Sequence, residues 1–380
     1  MPASSNYCGN ADKGQDQNKS MTTSQATDKA MAAPILGQDK ALRLLARART
    51  GGRLAHAYLF TGPEGVGKST LARNLATSLL CHHPDASQDV QTEQATGCGL
   101  CTSCLQMQSG SHPDFLLIEP DGQGIKIDSI RLLKQTLGYP PLEGALRVVL
   151  LKEVHTMRRE AANSLLKILE EPPPGNLLLL TSADEAGLLP TIYSRCQRIA
   201  LKALPLELAR EVILQHKPDL SRADCLALAE LSGGCPGQAL RMEEENILPL
   251  YQDLLAALLY QGRQETEQVQ AALSLAGRLN EHREMSGHIL HRLRILCTNA
   301  LAMRLCGQAP GSHDQTDRTS QTAQTIQATR ERWNTEQLSA KLASITKAEQ
   351  ALHRNCNPTL VFEVLLLQLF DCLPFVSPDT

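Results

Sequence analysis

Glycines, a lysine and a hydroxyl recur at phosphate-binding spacing in Gly62-Pro63-Glu64-Gly65-Val66-Gly67-Lys68-Ser69, which fits the P-loop pattern G-x-x-x-x-G-K-[ST]. Glycine lets backbone N–H groups curl around phosphate oxygens with no Cβ in the way. A helix opening at Lys68 adds its dipole to the same anion site. In that pattern Lys68 reaches the β- and γ-phosphates and the Ser69 hydroxyl binds Mg²⁺, with Thr70 beside it. Gly62 to Thr70 is therefore the candidate stretch for ATP and Mg²⁺.

A second cluster is built from thiols. Cys98, Cys101 and Cys104 stand at three-residue spacing, and Gly97 and Gly99 allow a tight knuckle. With Cys81 as the fourth ligand they form a closed thiolate shell, which suits structural Zn²⁺ and leaves no position for a catalytic water. His82 and His83 compete for that fourth place. Free thiols and an iron–sulfur cluster are the other readings. Cys8, Cys196, Cys225, Cys235, Cys297, Cys306, Cys356 and Cys372 show no ligand spacing. Those in helices read as small buried apolar groups.

Alternating elements must position these groups. A helix spans Gln38 to Thr50, ended by Gly51-Gly52, and a strand from His56 to Gly62 feeds the glycine turn. The helix from Lys68 to Cys81 follows. Further strands are expected at Phe115–Pro120, Arg147–Glu153, Asn176–Ser182 and Gln197–Leu201, with helices at Ile127–Gly138 and Arg158–Pro172 between them. Strands alternating with helices imply a parallel sheet covered on both faces. The unbroken apolar runs Val148–Leu151 and Leu177–Leu180 suit strands buried on both sides. After Pro205 the strands stop. Leu206 to Leu231 reads as helical, a Gly-Gly-Cys-Pro-Gly turn follows, and from Ile247 onward helix succeeds helix. Gly307 to Arg330 is polar and reads as a flexible loop. The last helix has Pro358 in its first turn and runs through Leu360 to Leu373.

Composition narrows the class. In 380 residues, 42% hydrophobic but only 3% aromatic, the cores must be mostly aliphatic, as in helix-rich packing. The net charge of −3 offers no global basic field for nucleic acid. Residues 1–33 carry too little apolar surface to fold and lack the core of a signal peptide. No apolar run is long enough to span a bilayer, so no membrane partner is expected and the chain reads as cytoplasmic. Twelve cysteines without an export signal suggest thiols or metal ligands rather than disulfides.

The order of motifs is distinctive: GQDKA, HAYLFTGPEGVGKST, the C-x-x-C-x-x-C knuckle, SHPDF, ANSLLKILEEPP, LLLLTS and YSRC. It resembles the bacterial clamp-loader branch of the AAA+ family, most closely its delta-prime type. The resemblance covers Ile35 to about Leu240; beyond that only a helical tail of suitable length remains. It implies an α/β P-loop AAA+ domain over 34–203 with a zinc knuckle at 81–104, a small helical lid over 204–243 and an all-α collar over 244–380. It also implies partners: delta and gamma/tau subunits in a hetero-pentameric ring, a sliding clamp, and primed DNA reached through that ring. By the same resemblance Arg195, in Ser194-Arg195-Cys196, is an arginine finger offered to a neighbour's nucleotide site.

Two departures stand out. Hydrolysing members of that family end the third strand in Asp-Glu, whereas this chain has Lys152-Glu153. Glu153 remains as a remnant of the acidic pair, and Lys152 stands where a carboxylate would hold Mg²⁺. A cation there repels the metal. Where active members carry a lid arginine in G-x-x-R, this chain has Gly234-Cys235-Pro236-Gly237, with Arg241 about one helical turn further on. The expectation is a subunit that binds nucleotide but hydrolyses it poorly or not at all. An active gamma/tau-type subunit, a free-standing P-loop enzyme and a DNA-binding zinc protein are the rivals. No Lys or Arg lies between Cys98 and Cys104, which disfavours the last. Arg158, Arg159 and Lys167, on the helix before the three prolines, are the candidate contacts to a DNA backbone.

Overall fold

The computed structural model describes residues 34–83, 96–122, 124–259, 265–306, 321–354 and 356–373. Helix α1 (Asp39–Thr50) leads to strand β1 (Ala57–Thr61) and helix α2 (Lys68–Leu80). Then come α3 (Thr102–Ser109), β2 (Phe115–Ile118), α4 (Ile127–Leu137), β3 (Arg147–Leu151), α5 (Arg159–Glu170), β4 (Asn176–Ser182), the short α6 (Pro190–Tyr193) and β5 (Gln197–Ala200). The strands form one sheet in the order β2-β3-β4-β1-β5, every pair parallel. This order places β1, and the loop that leaves it, between two other strands.

The period of two along each strand divides the core. Tyr58, Phe60, Val148, Leu150, Leu177 and Leu179 pack with α1 and α2 on one face. Leu59, Val149, Leu151, Leu178 and Leu180 pack with α4 and α5 on the other. Every residue of β1, β3 and β4 is buried, as their unbroken apolar runs imply.

The rest is helical: α7 (Leu206–His216), α8 (Arg222–Leu231), α9 (Pro236–Glu244), α10 (Ile247–Leu259), α11 (Glu265–Glu281), α12 (Arg283–Cys306), α13 (Gln321–Arg332), α14 (Thr335–His353) and α15 (Pro358–Leu369). One apolar cluster runs from Leu204 through Met242 and Leu293 to Phe370, so α7 to α9 share a core with the helices that follow. At its far end the Lys341 ammonium is fully buried. It donates to Leu369 O at 2.6 Å and to Asp371 Oδ1 at 2.6 Å, and lies 4.5 Å from the Trp333 ring. It thereby caps the carbonyl end of α15.

One expectation is refined here and one changes. Leu206–Leu231 is helical in two pieces, α7 and α8. Lys217 is pushed out of helical geometry before Pro218, and Ser221 caps a new helix by accepting the Asp224 N–H at 3.0 Å. The loop expected over 307–330 is helical from Gln321. Thr325, Ile326 and Thr329 are buried, and Thr329 returns its hydroxyl to Thr325 O at 2.7 Å. Threonine methyls thus supply a stripe that polar composition conceals. Residues 307–320 and the tail expected over 1–33 lie outside the described residues.

Candidate functional site

The phosphate loop leaves the carboxyl end of β1. Gly62, Gly65 and Gly67 have φ of 143°, 73° and 100°, values that a side chain rarely adopts. A Cβ on Gly62 would stand 2.3 Å from Leu201 O. Val66 is buried and pins the loop to the sheet, while Pro63 and Glu64 are exposed. Gly67 precedes α2 without a side chain to cap it, which keeps the helix's positive end open to an anion. Lys68 is only 7% exposed, and its Nζ donates to Gly62 O and Pro63 O, both at 2.7 Å. Burial lowers its pKa, opposed by the carboxylates of Glu64 and Glu153.

At the end of β3 the Lys152 ammonium meets Glu119 Oε1 at 2.7 Å. Glu119, at the end of β2, thus offsets part of the Lys152 charge. The pair still leaves no free carboxylate at this position, because Glu119 is occupied by Lys152. Glu153 sits in the left-handed region (φ 51°), with its N–H on Thr181 Oγ1 at 3.0 Å. Its carboxylate acts on Lys68 through space.

Helix α9 rests directly on the loop. Gly237 N–H donates to Gly65 O at 2.8 Å, and Arg241 Nη1 meets Glu64 Oε1 at 2.6 Å. Cys235 is buried beside them, and burial raises its thiol pKa.

Arg195 lies at the other end of the sheet. It precedes β5, whose Gln197 pairs with Tyr58 near the start of β1, whereas the loop leaves from Thr61. The three steps of β1 from Tyr58 to Thr61 separate them along the strand, about 10 Å at the usual strand rise. Arg195 Nη2 is paired with Glu170 Oε1 at 2.7 Å, and Nη1 donates to Thr191 O at 3.1 Å. It cannot serve its own phosphate loop from there. Arg158, Arg159 and Lys167 are exposed on and beside α5.

The four thiols converge. The Sγ atoms of Cys81, Cys98, Cys101 and Cys104 all lie within 4.8 Å of one another, a group that could hold a metal ion. Cys81 Sγ is 3.8 Å from Cys101 Sγ, and Cys98 Sγ is 4.0 Å from Cys104 Sγ. The N–H groups of His83 and Cys98 point at Cys81 Sγ, and that of Cys101 at Cys98 Sγ. N–H groups of Leu100 and Cys101 lower the Cys98 thiol to about 6. Burial raises that of Cys104. His82 instead faces the Thr102 hydroxyl at 3.4 Å. A Cβ on Gly97 would come within 2.5 Å of Cys104 Sγ, so only glycine fits there.

Residues 37–205 match the family model described as "DNA polymerase III, delta subunit". The chain is 37% identical over 204 residues to DNA polymerase III subunit delta' of Pseudomonas aeruginosa, covering 53% of this chain and 60% of the relative. Through its α/β part, the chain is similar to the delta-prime subunits of DNA polymerase III. It is also 33% identical over 187 residues to subunit delta' of Bacillus subtilis, covering 49% of this chain and 54% of the relative. Against subunit tau of Escherichia coli it is 39% identical over 184 residues, covering 48% and 27%. The matches thus span less than two thirds of these relatives' lengths.

In this chain several residues gain roles that spacing did not reveal. Within SHPDF, buried Asp114 accepts N–H groups from Leu142 and Glu143, both at 2.7 Å, and from Gly144 at 3.2 Å. Arg147 lies 3.7 Å away and donates instead to carbonyls of Thr136, Tyr139 and Pro140. His112 bridges the Ser103 hydroxyl, at 3.0 Å, and the Asp114 N–H, tying the knuckle to β2. Thr181, in LLLLTS, holds the backbone of Glu153. The motif is legible as residues, but its contacts arise only from the pairing of β3 with β4.

Proposed function

We propose that this chain is a delta-prime-type subunit of a DNA polymerase III clamp loader, which helps place a sliding clamp on primed DNA. It works in the cytoplasm within a hetero-pentameric ring with delta and gamma/tau subunits. The observation that carries this reading is the division of labour across the sheet. The phosphate loop is intact at one end, where the carboxylate of Glu119 is taken up by Lys152. Arg195 sits at the other end, where only a neighbour's nucleotide could use it.

The chain binds ATP at Gly62 to Thr70. A phosphate oxygen would replace the two carbonyls as acceptor for the Lys68 ammonium, and Ser69 would supply the hydroxyl toward Mg²⁺. With Lys152 and Glu119 paired, the metal would lose its usual protein carboxylate, and near Lys68 there remain Glu64, engaged by Arg241, and Glu153, so hydrolysis is weak or absent. Arg195 then acts in trans, lowering the energy of the charge that builds up on the transferring phosphate next door. The exposed Arg158, Arg159 and Lys167 suit phosphate contacts that position DNA without reading its sequence.

The metal is zinc, held by Cys81, Cys98, Cys101 and Cys104. Tetrahedral Zn–S bonds of about 2.3 Å require sulfurs about 3.8 Å apart, close to the 3.8 and 4.0 Å observed. Four thiolates close the shell, so the ion shapes the fold and takes no part in catalysis. The three-part division into α/β domain, lid and collar is kept with this reading.

The 39% identity to a tau subunit supports a second reading, an active gamma/tau-type motor. The Lys152–Glu119 pair and Gly237 count against it. Co-assembly tests the main reading: mixed with the delta and gamma/tau subunits of its own organism, the chain elutes in gel filtration as a stoichiometric ring component. Elution of the chain alone under those conditions contradicts it.

A further inference from the structure

Lid closure in a P-loop protein ordinarily needs an anion from the ligand, because a lid arginine has nothing else to bind. Here the loop brings its own. Glu64, in the third position of the loop, places Oε1 2.6 Å from Arg241 Nη1, across 177 residues of sequence. The same helix makes a second, independent contact, the Gly237 N–H on Gly65 O at 2.8 Å. Both partners of that main-chain bond must be small. A Cβ on Gly65 would stand 2.3 Å from Gln238 N, and one on Gly237 would stand 3.0 Å from Gly65 O. The glycine that replaces a lid arginine is thus the residue that lets the lid backbone touch the loop.

We propose that Glu64 is an internal substitute for the terminal phosphate of a nucleoside triphosphate: its carboxylate holds Arg241, and with it α9, on the phosphate loop without nucleotide. Closure then no longer reports the state of the ligand. The claim about nucleotide rests on the reading that Gly62 to Thr70 binds ATP; the latch itself does not. An isolated, half-exposed ion pair would contribute little. This one acts beside a main-chain hydrogen bond on the same helix, so both contacts are lost or kept together.

The test is amide hydrogen exchange across 235–245 in the full, zinc-loaded chain, with no nucleotide, with ADP and with ATP and Mg²⁺. Wild type is protected in all three. Glu64→Gln exchanges up to about fivefold faster without nucleotide, and ATP, but not ADP, restores its protection. Arg241→Gln is equally loosened and ATP does not restore it. The charge-swapped double variant, Glu64→Arg with Arg241→Glu, regains protection without nucleotide. Wild-type protection in Glu64→Gln, or a swap no better than the single variants, overturns the latch. Loosening that bound ATP leaves unchanged overturns the substitute role. Equilibrium dialysis with ATP is run alongside: no binding by any variant contradicts the nucleotide reading, while the nucleotide-free arms still decide the latch.

Discussion

Arg195→Ala, introduced into an assembled ring, slows ATP turnover at the neighbouring site by about 10³-fold or more. The magnitude follows from where the charge develops. The transferring phosphate gains negative charge in the transition state, and a guanidinium fixed beside it acts in a water-poor interface. Arg195→Lys does not rescue turnover, because an ammonium lacks the planar fork of donors. Arg195 is held by Glu170 at 2.7 Å in the single chain, so docking must exchange that partner for phosphate. Glu170→Ala removes the competitor and leaves ring turnover equal or higher. Steady-state ATPase assays on rings built with each variant give the answer. Unchanged turnover with Arg195→Ala contradicts the trans assignment.

Removing the metal has the second large effect. Structural zinc sites contribute on the order of 10 kcal/mol or more to the fold of the segment they hold. Of that segment, the buried Cys81, Cys104 and Met107 and the half-buried Cys98 and Cys101 offer few apolar groups to hold it otherwise. Chelation or Cys104→Ser therefore unravels residues 96–111 and frees His112 from Ser103. The sheet persists, because its two apolar faces draw only Met107 from α3. Metal analysis of Cys104→Ser shows zinc lost, and exchange rates rise in the knuckle while β1, β3 and β4 stay protected. A knuckle as protected without metal as with it contradicts this account.

The sheet was legible because each buried strand is a run of apolar residues bounded by turns, and the P-loop because its chemistry tolerates few substitutions. The three clustered cysteines announced themselves by spacing. Cys81 could not be chosen over His82 or His83 until α2 ended with its thiol facing the other three. Helix α13 was hidden because threonines, polar by composition, fill the buried stripe. The break after His216 was written in Lys217-Pro218 and Ser221, a stop and a cap that apolar periodicity alone overlooks. Contacts across long separations were beyond reach. Nothing local pairs Glu119 with Lys152, or Glu64 with Arg241, until the β2-β3 register and the seat of α9 bring them together. The first of these bears on the proposed chemistry: the lysine at the end of β3 engages a carboxylate as well as adding its own charge.

The proposed loss of a magnesium grip beside an intact phosphate cradle is most directly tested on the isolated, zinc-loaded chain. ATP binding by equilibrium dialysis and turnover by phosphate release are measured on the same sample. The account predicts bound ATP with turnover below about 1 per second. Turnover of several per second by the chain alone would contradict it.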